Sequence, residues 1–241
     1  MKYKLLGIIG AVIISTVILI GFVITKEDSK TSTQYNIDNI NTIEVQTNAS
    51  NIVFVASENS EVTVQTSEKM KVDTTISGDT LRIVSDGTGN GIVNLKNGEI
   101  LIDIPTSALL RLIANTDSGE IHVEDIGLSS LKATSISGEI TVKRLTDQFT
   151  IVNESGNVEV ASIGDSIGHS NIKTNSGHIN VQFLEKPQAI TAETKSGKIT
   201  TALFPAASIK SQNAGYILQE GLETEEDFLQ LNSITGNINI H

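Results

Sequence analysis

The sequence predicts an all-β chain: a parallel β-solenoid (β-helix) of about 20-residue rungs, preceded by one N-terminal transmembrane helix. Three observations carry that expectation. Glycines recur at a nearly constant spacing, β-branched residues alternate with polar ones after each of them, and Leu5 to Ile24 contains no charged residue. A recurring unit of this size points to a stack in which each unit buries its apolar face against its neighbours.

The apolar segment comes first. Its twenty residues (24 − 5 + 1) would span roughly 30 Å as a helix, about one hydrocarbon core. Val17 to Ile24 stays bulky apart from Gly21, and no Ala-x-Ala follows, so the segment reads as an uncleaved membrane anchor rather than a signal peptide. Cysteine is absent, which excludes a lipid-modified cysteine, a disulfide scaffold, a thiolate metal site and a cysteine nucleophile. Lys2 and Lys4 precede the segment while Lys26 and Lys30 follow it, so the positive-inside count is a tie. The short leading tail tips the orientation toward a cytoplasmic N-terminus and an extracellular remainder. The membrane is thus an expected partner through Leu5–Ile24.

Residues 26–35 lack apolar periodicity and read as a polar linker. The expected organisation is an anchor over 1–25, a linker over 26–35 and a solenoid domain over 36–241. Within that domain, 36–105 read as an irregular cap with the first rungs, and 106–241 as the regular rungs. In the irregular part, Thr42–Thr47, Asn51–Ala56, Glu61–Thr66, Thr80–Ser85 and Glu99–Ile104 alternate like strands. Ser57-Glu58-Asn59-Ser60 between two of them has the composition of a hairpin turn.

The repeat is carried by Gly78, Gly98, Gly119, Gly138, Gly156, Gly177, Gly197, Gly215 and Gly236, spaced by 20, 21, 19, 18, 21, 20, 18 and 21 residues. Ser precedes six of them. The second residue after the glycine is apolar from the second unit onward, as in Ile121, Ile140, Val158, Ile179, Ile217 and Ile238. The fourth is Val123, Val142, Val160, Val181 or Ile240 in most units, with polar residues between, which is the period of a half-buried strand. Seven and five residues before the turn stand further apolar pairs: Leu112 and Ala114, Leu131 and Ala133, Phe149 and Ile151, Ile190 and Ala192, Leu229 and Leu231. Three residues before it stand Thr116, Ser135, Asn153, Thr174, Thr194 and Ser233, expected to form a polar ladder bonded from rung to rung between equivalents. Ile126, Leu145, Ile163, Leu184, Phe204 and Leu222 are expected as a further inward anchor, seven residues past each turn.

The sequence stops at His241 straight after a strand, so an open strand edge is expected there, with end-to-end self-association as its consequence. Glu223 to Phe228 is the candidate to fold over that end.

Charge and composition narrow the function. Lys and Arg number 17 against 28 acids; without residues 1–30 the balance is 13 against 26, or −13. That argues against a nucleic-acid partner held through phosphates. Aromatics are 4% with no tryptophan, which argues against stacking platforms for bases or sugars. Asp147 and Asp165 each lie nine residues past their glycine and could stack as a carboxylate pair, but no pocket-forming loops surround them and they read as solvated turn acids. Asp86-Gly87-Thr88-Gly89-Asn90-Gly91 imitates half a calcium loop, yet Asn97 holds the place of the closing glutamate. Of the histidines His122, His169, His178 and His241, His122 and His178 fall in different outward columns on rungs that are not neighbours, so no shared metal is expected. Outward columns such as Glu120, Glu139, Asn157, His178 and Lys198 are mixed in charge. No catalytic, cofactor-binding or metal-binding residue is assigned, no cofactor is expected, and the chain is not expected to be an enzyme.

The apolar N-terminal segment, the Ile102-Asp103-Ile104-Pro105 entry and the reiterated Ser-Gly-x-Ile-x-Val resemble a bacterial adhesin-like β-strand-repeat family of unknown function, found in envelope-associated and Lia-type stress-response proteins. The resemblance covers residues 36 to 241 and implies a right-handed solenoid on the cell envelope with no catalytic motif. The function that follows is a non-enzymatic, membrane-anchored protein whose solenoid binds envelope components or proteins, with a stress-response role as its sharper form. The alternatives are a surface adhesin for a glycan or host protein, and a polysaccharide-active enzyme using Asp147 and Asp165.

Overall fold

A computed structural model describes residues 30–67, 70–86, 98–164, 166–205, 208–212 and 215–241. The anchor Leu5–Ile24, the Gly87–Asn97 part of the calcium-like loop and Asp165 lie outside the described residues. No helix among the described residues is long and apolar enough to cross a membrane.

The described residues form an all-β structure apart from 3₁₀ conformation at Ile37–Asn39 and at Ser208. Its strands are β1 (Lys30–Asn36), β2 (Thr42–Thr47), β3 (Asn51–Ser57), β4 (Glu61–Ser67), β5 (Val72–Ser77), β6 (Thr80–Ser85), β7 (Glu99–Pro105), β8 (Leu110–Thr116), β9 (Ile121–Val123), β10 (Leu128–Ser135), β11 (Ile140–Val142), β12 (Phe149–Asn153), β13 (Val158–Ile163) and β14 (His169–Thr174). Then follow β15 (Ile179–Phe183), β16 (Ala189–Thr194), β17 (Ile199–Thr201), β18 (Ile209–Gln212), β19 (Gly215–Glu220), β20 (Phe228–Ser233) and β21 (Ile238–Ile240).

The strands form a ten-stranded and an eleven-stranded sheet whose inward side chains make one core. Each regular rung contributes one strand to each sheet, joined at a glycine turn, and pairs in parallel and in register with the next. Ile121, Ile140, Val158 and Ile179 line up across β9, β11, β13 and β15, while Leu112, Leu131 and Phe149 line up across β8, β10 and β12. Every one of these side chains is buried. Burial of each contributes about 1.5–3 kcal/mol, so a rung is held chiefly by its neighbours rather than by local preference. This is the solenoid-like stack that the glycine period predicts.

The stack does not follow sequence order. In the eleven-stranded sheet, β20 lies between β14 and β16, and in the other sheet β21 lies between β15 and β17. The open edge expected at His241 is therefore absent: β21 is flanked on both sides, and β17, β19 and β18 lie beyond the rung. Glu223–Phe228 does not cover an end; it leads from β19 back into the stack, where the Gly168 amide donates to Asp227 Oδ1 at 2.8 Å. The opposite end mirrors this arrangement. The β2/β3 rung packs directly on β8/β9, and β4–β7 lie outside it.

Several local expectations are corrected. Lys30–Asn36 is strand, not linker, running antiparallel to β4 from Lys30↔Ser67 to Asn36↔Glu61. It buries almost nothing, so no apolar pattern announces it; backbone pairing on the edge of β4 and the Tyr35 hydroxyl on Thr74 Oγ1 at 2.5 Å hold it. Residues 57–60 are not a hairpin turn, because β7 inserts between β3 and β4, parallel to one and antiparallel to the other. Gly78 and Gly215 share the period without being rung turns. Gly78 closes the antiparallel β5–β6 hairpin at φ +62°, and Gly215 opens antiparallel β19, where Leu218 rather than Ile217 is buried. Of the anchors seven past the turn, Ile126, Leu145, Ile163 and Phe204 are buried, whereas Leu184 and Leu222 are 64% and 63% exposed; Phe183 fills the core in place of Leu184.

The polar ladder exists, but its partners are backbone groups rather than equivalents. Thr116 Oγ1 accepts the Gly119 amide at 2.9 Å and Ser135 Oγ accepts that of Gly138 at 2.8 Å. On the donor side, Thr194 Oγ1 reaches the Gly236 carbonyl at 2.8 Å and Ser233 Oγ that of Gly177 at 3.1 Å. The glycines are needed for the same reason: a Cβ on Gly138 would run into the Gly119 carbonyl, and one on Gly156 into that of Gly138. In the β2/β3 rung Ser50 holds the glycine place, and its amide donates to Thr47 Oγ1 at 3.1 Å.

Candidate binding face

The two sheets differ in charge on their outer faces. Arg82, Arg111, Lys132, Lys173 and Lys210 all lie in strands of the eleven-stranded sheet, whereas Lys30 is the sole cation in the strands of the ten-stranded sheet. Acids are shared evenly, Glu61, Glu99, Asp103 and Glu159 in that second sheet and Glu44, Asp73, Glu193 and Glu220 in the first, so it is the cations that segregate. In a domain with twice as many acids as bases, this segregation gives one face a field unlike that of the whole.

Two grooves open on the eleven-stranded face. The first, of about 290 Å³, is lined by Arg111, Ser130, Lys132, Gln148 and Thr150, with no carboxylate. A break in register between β8 and β10 at Leu128/Ser130 produces it: Leu128 and Leu131 both turn inward, three residues apart, and Ser130 is displaced beside Arg111. A bulge of this kind re-aims side chains and opens a notch between long neighbours on adjoining strands. Neither Arg111 nor Lys132 has a side-chain ion-pair or hydrogen-bond partner among the described residues. Gln148 Nε2 donates to the His169 carbonyl at 3.1 Å, which fixes that wall.

The second groove, of about 360 Å³, crosses three strands where the β20 rung is inserted. Lys173 and Glu193 stand on either side of Asn232, with Lys195 and Gln230 completing the rim. Its chemistry is amide and hydroxyl with two cations and one acid, suited to a hydroxylated ligand bearing negative charge.

The residues singled out from the sequence are not brought together. Asp147 is half-buried beside the Thr146 hydroxyl at 3.3 Å, and its expected partner Asp165 lies outside the described residues. His122 pairs with Glu120 at 2.9 Å, His178 Nδ1 accepts the Asn237 amide at 3.0 Å, His169 packs on Phe228 at 6.0 Å, and the His241 amide pairs with Val181. Among the described residues no three His, Asp or Glu side chains could share a metal. In the outward column, Asn157 and Asn237 accept the amides of His178 and Lys198 at 3.0 and 2.9 Å, so they splice rungs.

Both grooves escaped the sequence reading. A signal was present for the first: Leu128 breaks the alternation that Leu131 and Ala133 obey, and such a parity break marks a bulge. The second depends on the out-of-order insertion of β20, which no local pattern reveals.

A family model described as Toastrack DUF4097 matches residues 40–166, just over half of the chain. Among solved structures, a candidate cell-adhesion protein from Clostridium sporogenes is 15% identical with a TM-score of 0.47, over 88% of this chain and 98% of its own. A candidate adhesin from Bacteroides fragilis is 13% identical with a TM-score of 0.39, over 88% and 97%. One from Parabacteroides merdae is 12% identical with a TM-score of 0.41, over 89% and 97%. No curated protein matches the sequence.

Proposed function

The chain belongs to the Toastrack DUF4097 family, and from that premise we propose that it is a non-enzymatic envelope protein whose eleven-stranded face binds an anionic, hydroxyl-rich envelope polymer. Leu5–Ile24 anchors it in the membrane and the stack projects outside the cell. The observation that carries the reading is the gathering of unpaired cations into grooves on one face of an acidic domain. Arg111 and Lys132 supply charge, and Ser130, Thr150 and Gln148 supply the short-range partners that a bare cationic patch lacks. Rungs locked by glycine turns keep those groups at fixed spacing, so little ordering is required on binding. Resistance to envelope damage is the sharper form of the same function, in which the bound polymer is what the stack senses or shields.

The test is binding of the full chain, in detergent, to a soluble polyglycerol phosphate and to a neutral dextran of similar length. Retention of the phosphate polymer alone, lost in the Arg111→Ser/Lys132→Ser variant, is the expected result. Equal binding of both polymers, or none of either, overturns the proposal. Cells lacking the protein are expected to survive membrane-active antibiotics less well, and unchanged survival removes the stress-related form.

A further inference from the structure

The rung made by β20 and β21 fills a slot whose two walls are adjacent in sequence. The rungs β14/β15 and β16/β17 are linked by residues 184–188, yet they do not pair with each other. Instead β20 pairs in parallel with both, from His169↔Phe228↔Ala189 to Thr174↔Ser233↔Thr194, and β21 does the same between β15 and β17. Both walls are complete before residue 228 is reached, and each presents an open strand edge until the slot is filled.

The filler is attached by a slack connection. Glu220 ends β19 opposite Ile190, and Phe228 begins β20 opposite Ala189, so both ends of the connection lie at the same level of the sheet, two strands apart. Two strand spacings are roughly 10 Å, whereas the seven residues 221–227 reach about 23 Å when extended. Residues 221–224 are exposed, and Glu223, Glu225, Glu226 and Asp227 repel one another, which favours extension. Two hydrogen bonds tie this segment down among the described residues, Gly168 N–H to Asp227 Oδ1 and His169 Nε2 to the Glu225 carbonyl.

We infer that this rung is exchangeable: residues 228–240 of one copy occupy the slot between β14/β15 and β16/β17 of a second copy, joining chains by strand donation. A second copy is the fitting occupant because the slot makes demands that its own sequence meets in full. It needs a glycine against the Gly177 carbonyl, where a Cβ has no room, and a hydroxyl three residues earlier to donate to that same carbonyl, as Ser233 does. It also needs apolar side chains at the positions of Leu229, Leu231, Ile238 and Ile240, all fully buried. Exchange conserves every contact that residues 228–240 make in the closed form, so its balance is set by the connection, by concentration and by repulsion between like-charged domains. The inference is independent of any polymer ligand.

Asn239 Nδ2 donates to Asn180 Oδ1 at 2.6 Å across the slot, and the chain has no native cysteine. Chains carrying Asn180→Cys and differently tagged chains carrying Asn239→Cys are mixed at high concentration and treated with a short bifunctional maleimide. The double variant, at low concentration, reports whether the two positions meet within one chain. His122→Cys mixed with Asn239→Cys gives the background of random encounter, since those residues lie on rungs that do not touch. Severalfold more crosslinked pair from the Asn180→Cys and Asn239→Cys mixture than from that background, rising with concentration and with salt, is the expected result. A yield equal to background overturns the inference, as does failure of the double variant to close on itself.

Discussion

The side-chain amide of Asn153 donates to the Gly138 carbonyl at 2.6 Å, while its Oδ1 accepts the amide of Gly156, three residues on, at 3.0 Å. One buried side chain therefore fastens its own turn and the turn of the neighbouring rung. Asn153→Ala leaves a buried donor and a buried acceptor without partners, and a loss of about 2 kcal/mol is expected. Asn153→Ser, which copies Ser135 in the adjoining rung, should recover part of it. Thermal unfolding followed by circular dichroism ranks the three proteins, and equal Tm values would remove the ladder as a source of stability.

Gly138→Ala places a methyl group against the Gly119 carbonyl, and backbone rather than a flexible side chain has to move. A cost of about 3 kcal/mol, or roughly 6–12 °C in Tm, is expected for a domain of this size. Ser137→Ala beside it, which removes one exposed hydrogen bond to the Asp117 carbonyl at 3.2 Å, should stay close to the parent.

Arg144 meets Asp125 of the preceding rung at 2.6 Å, and Lys143 meets Glu124 in the same way, all four side chains being largely solvated. Arg144→Ala is expected to change stability by less than about 1 kcal/mol, with the difference vanishing in high salt. Chemical denaturation at two ionic strengths measures both.

Arg111→Ser and Lys132→Ser change exposed side chains without core contacts, so stability within about 0.5 kcal/mol of the parent is expected for each. Polymer binding should fall with either and fall steeply with added salt in the parent. A variant that binds less because it has unfolded would be exposed by the same denaturation curve.

Lys198 is exposed at a turn, its backbone amide held by Asn237 Oδ1 at 2.9 Å. Lys198→Cys gives the chain a single thiol on the outer surface of the stack. Labelling of intact cells by a membrane-impermeant maleimide is expected, with lysed cells as the reactivity control. Labelling only after lysis would place the stack in the cytoplasm and end the envelope-binding reading.

Local periodicity made much of this fold legible before any coordinates. Ile121, Ile140, Val158 and Ile179 are inward because they sit two residues past a glycine, and that relation needs no knowledge of the third dimension. The buried hydroxyls three residues before the turn were legible for the same reason, although their bonding to backbone was not. What stayed hidden was order. The side chains of β20 meet the same column requirements wherever the rung stands in the stack, so the sequence cannot distinguish a place after β16 from one before it. The second groove was hidden for a related reason, since Lys173, Gln230 and Glu193 become neighbours only through that insertion. Ser50 disguised the first rung by standing where the period asks for glycine.

The insertion also changes how the molecule comes apart. In a stack that follows sequence order, a terminal rung frays alone and costs a single interface. Here the rung of β20 and β21 holds two interfaces, so among the described residues its departure also removes the strand pairing that joins β16 and β17 to β14 and β15. Amide exchange should accordingly report one shared opening free energy for residues 189–201, 215–220 and 228–240, a single cooperative unit instead of a graded fraying end.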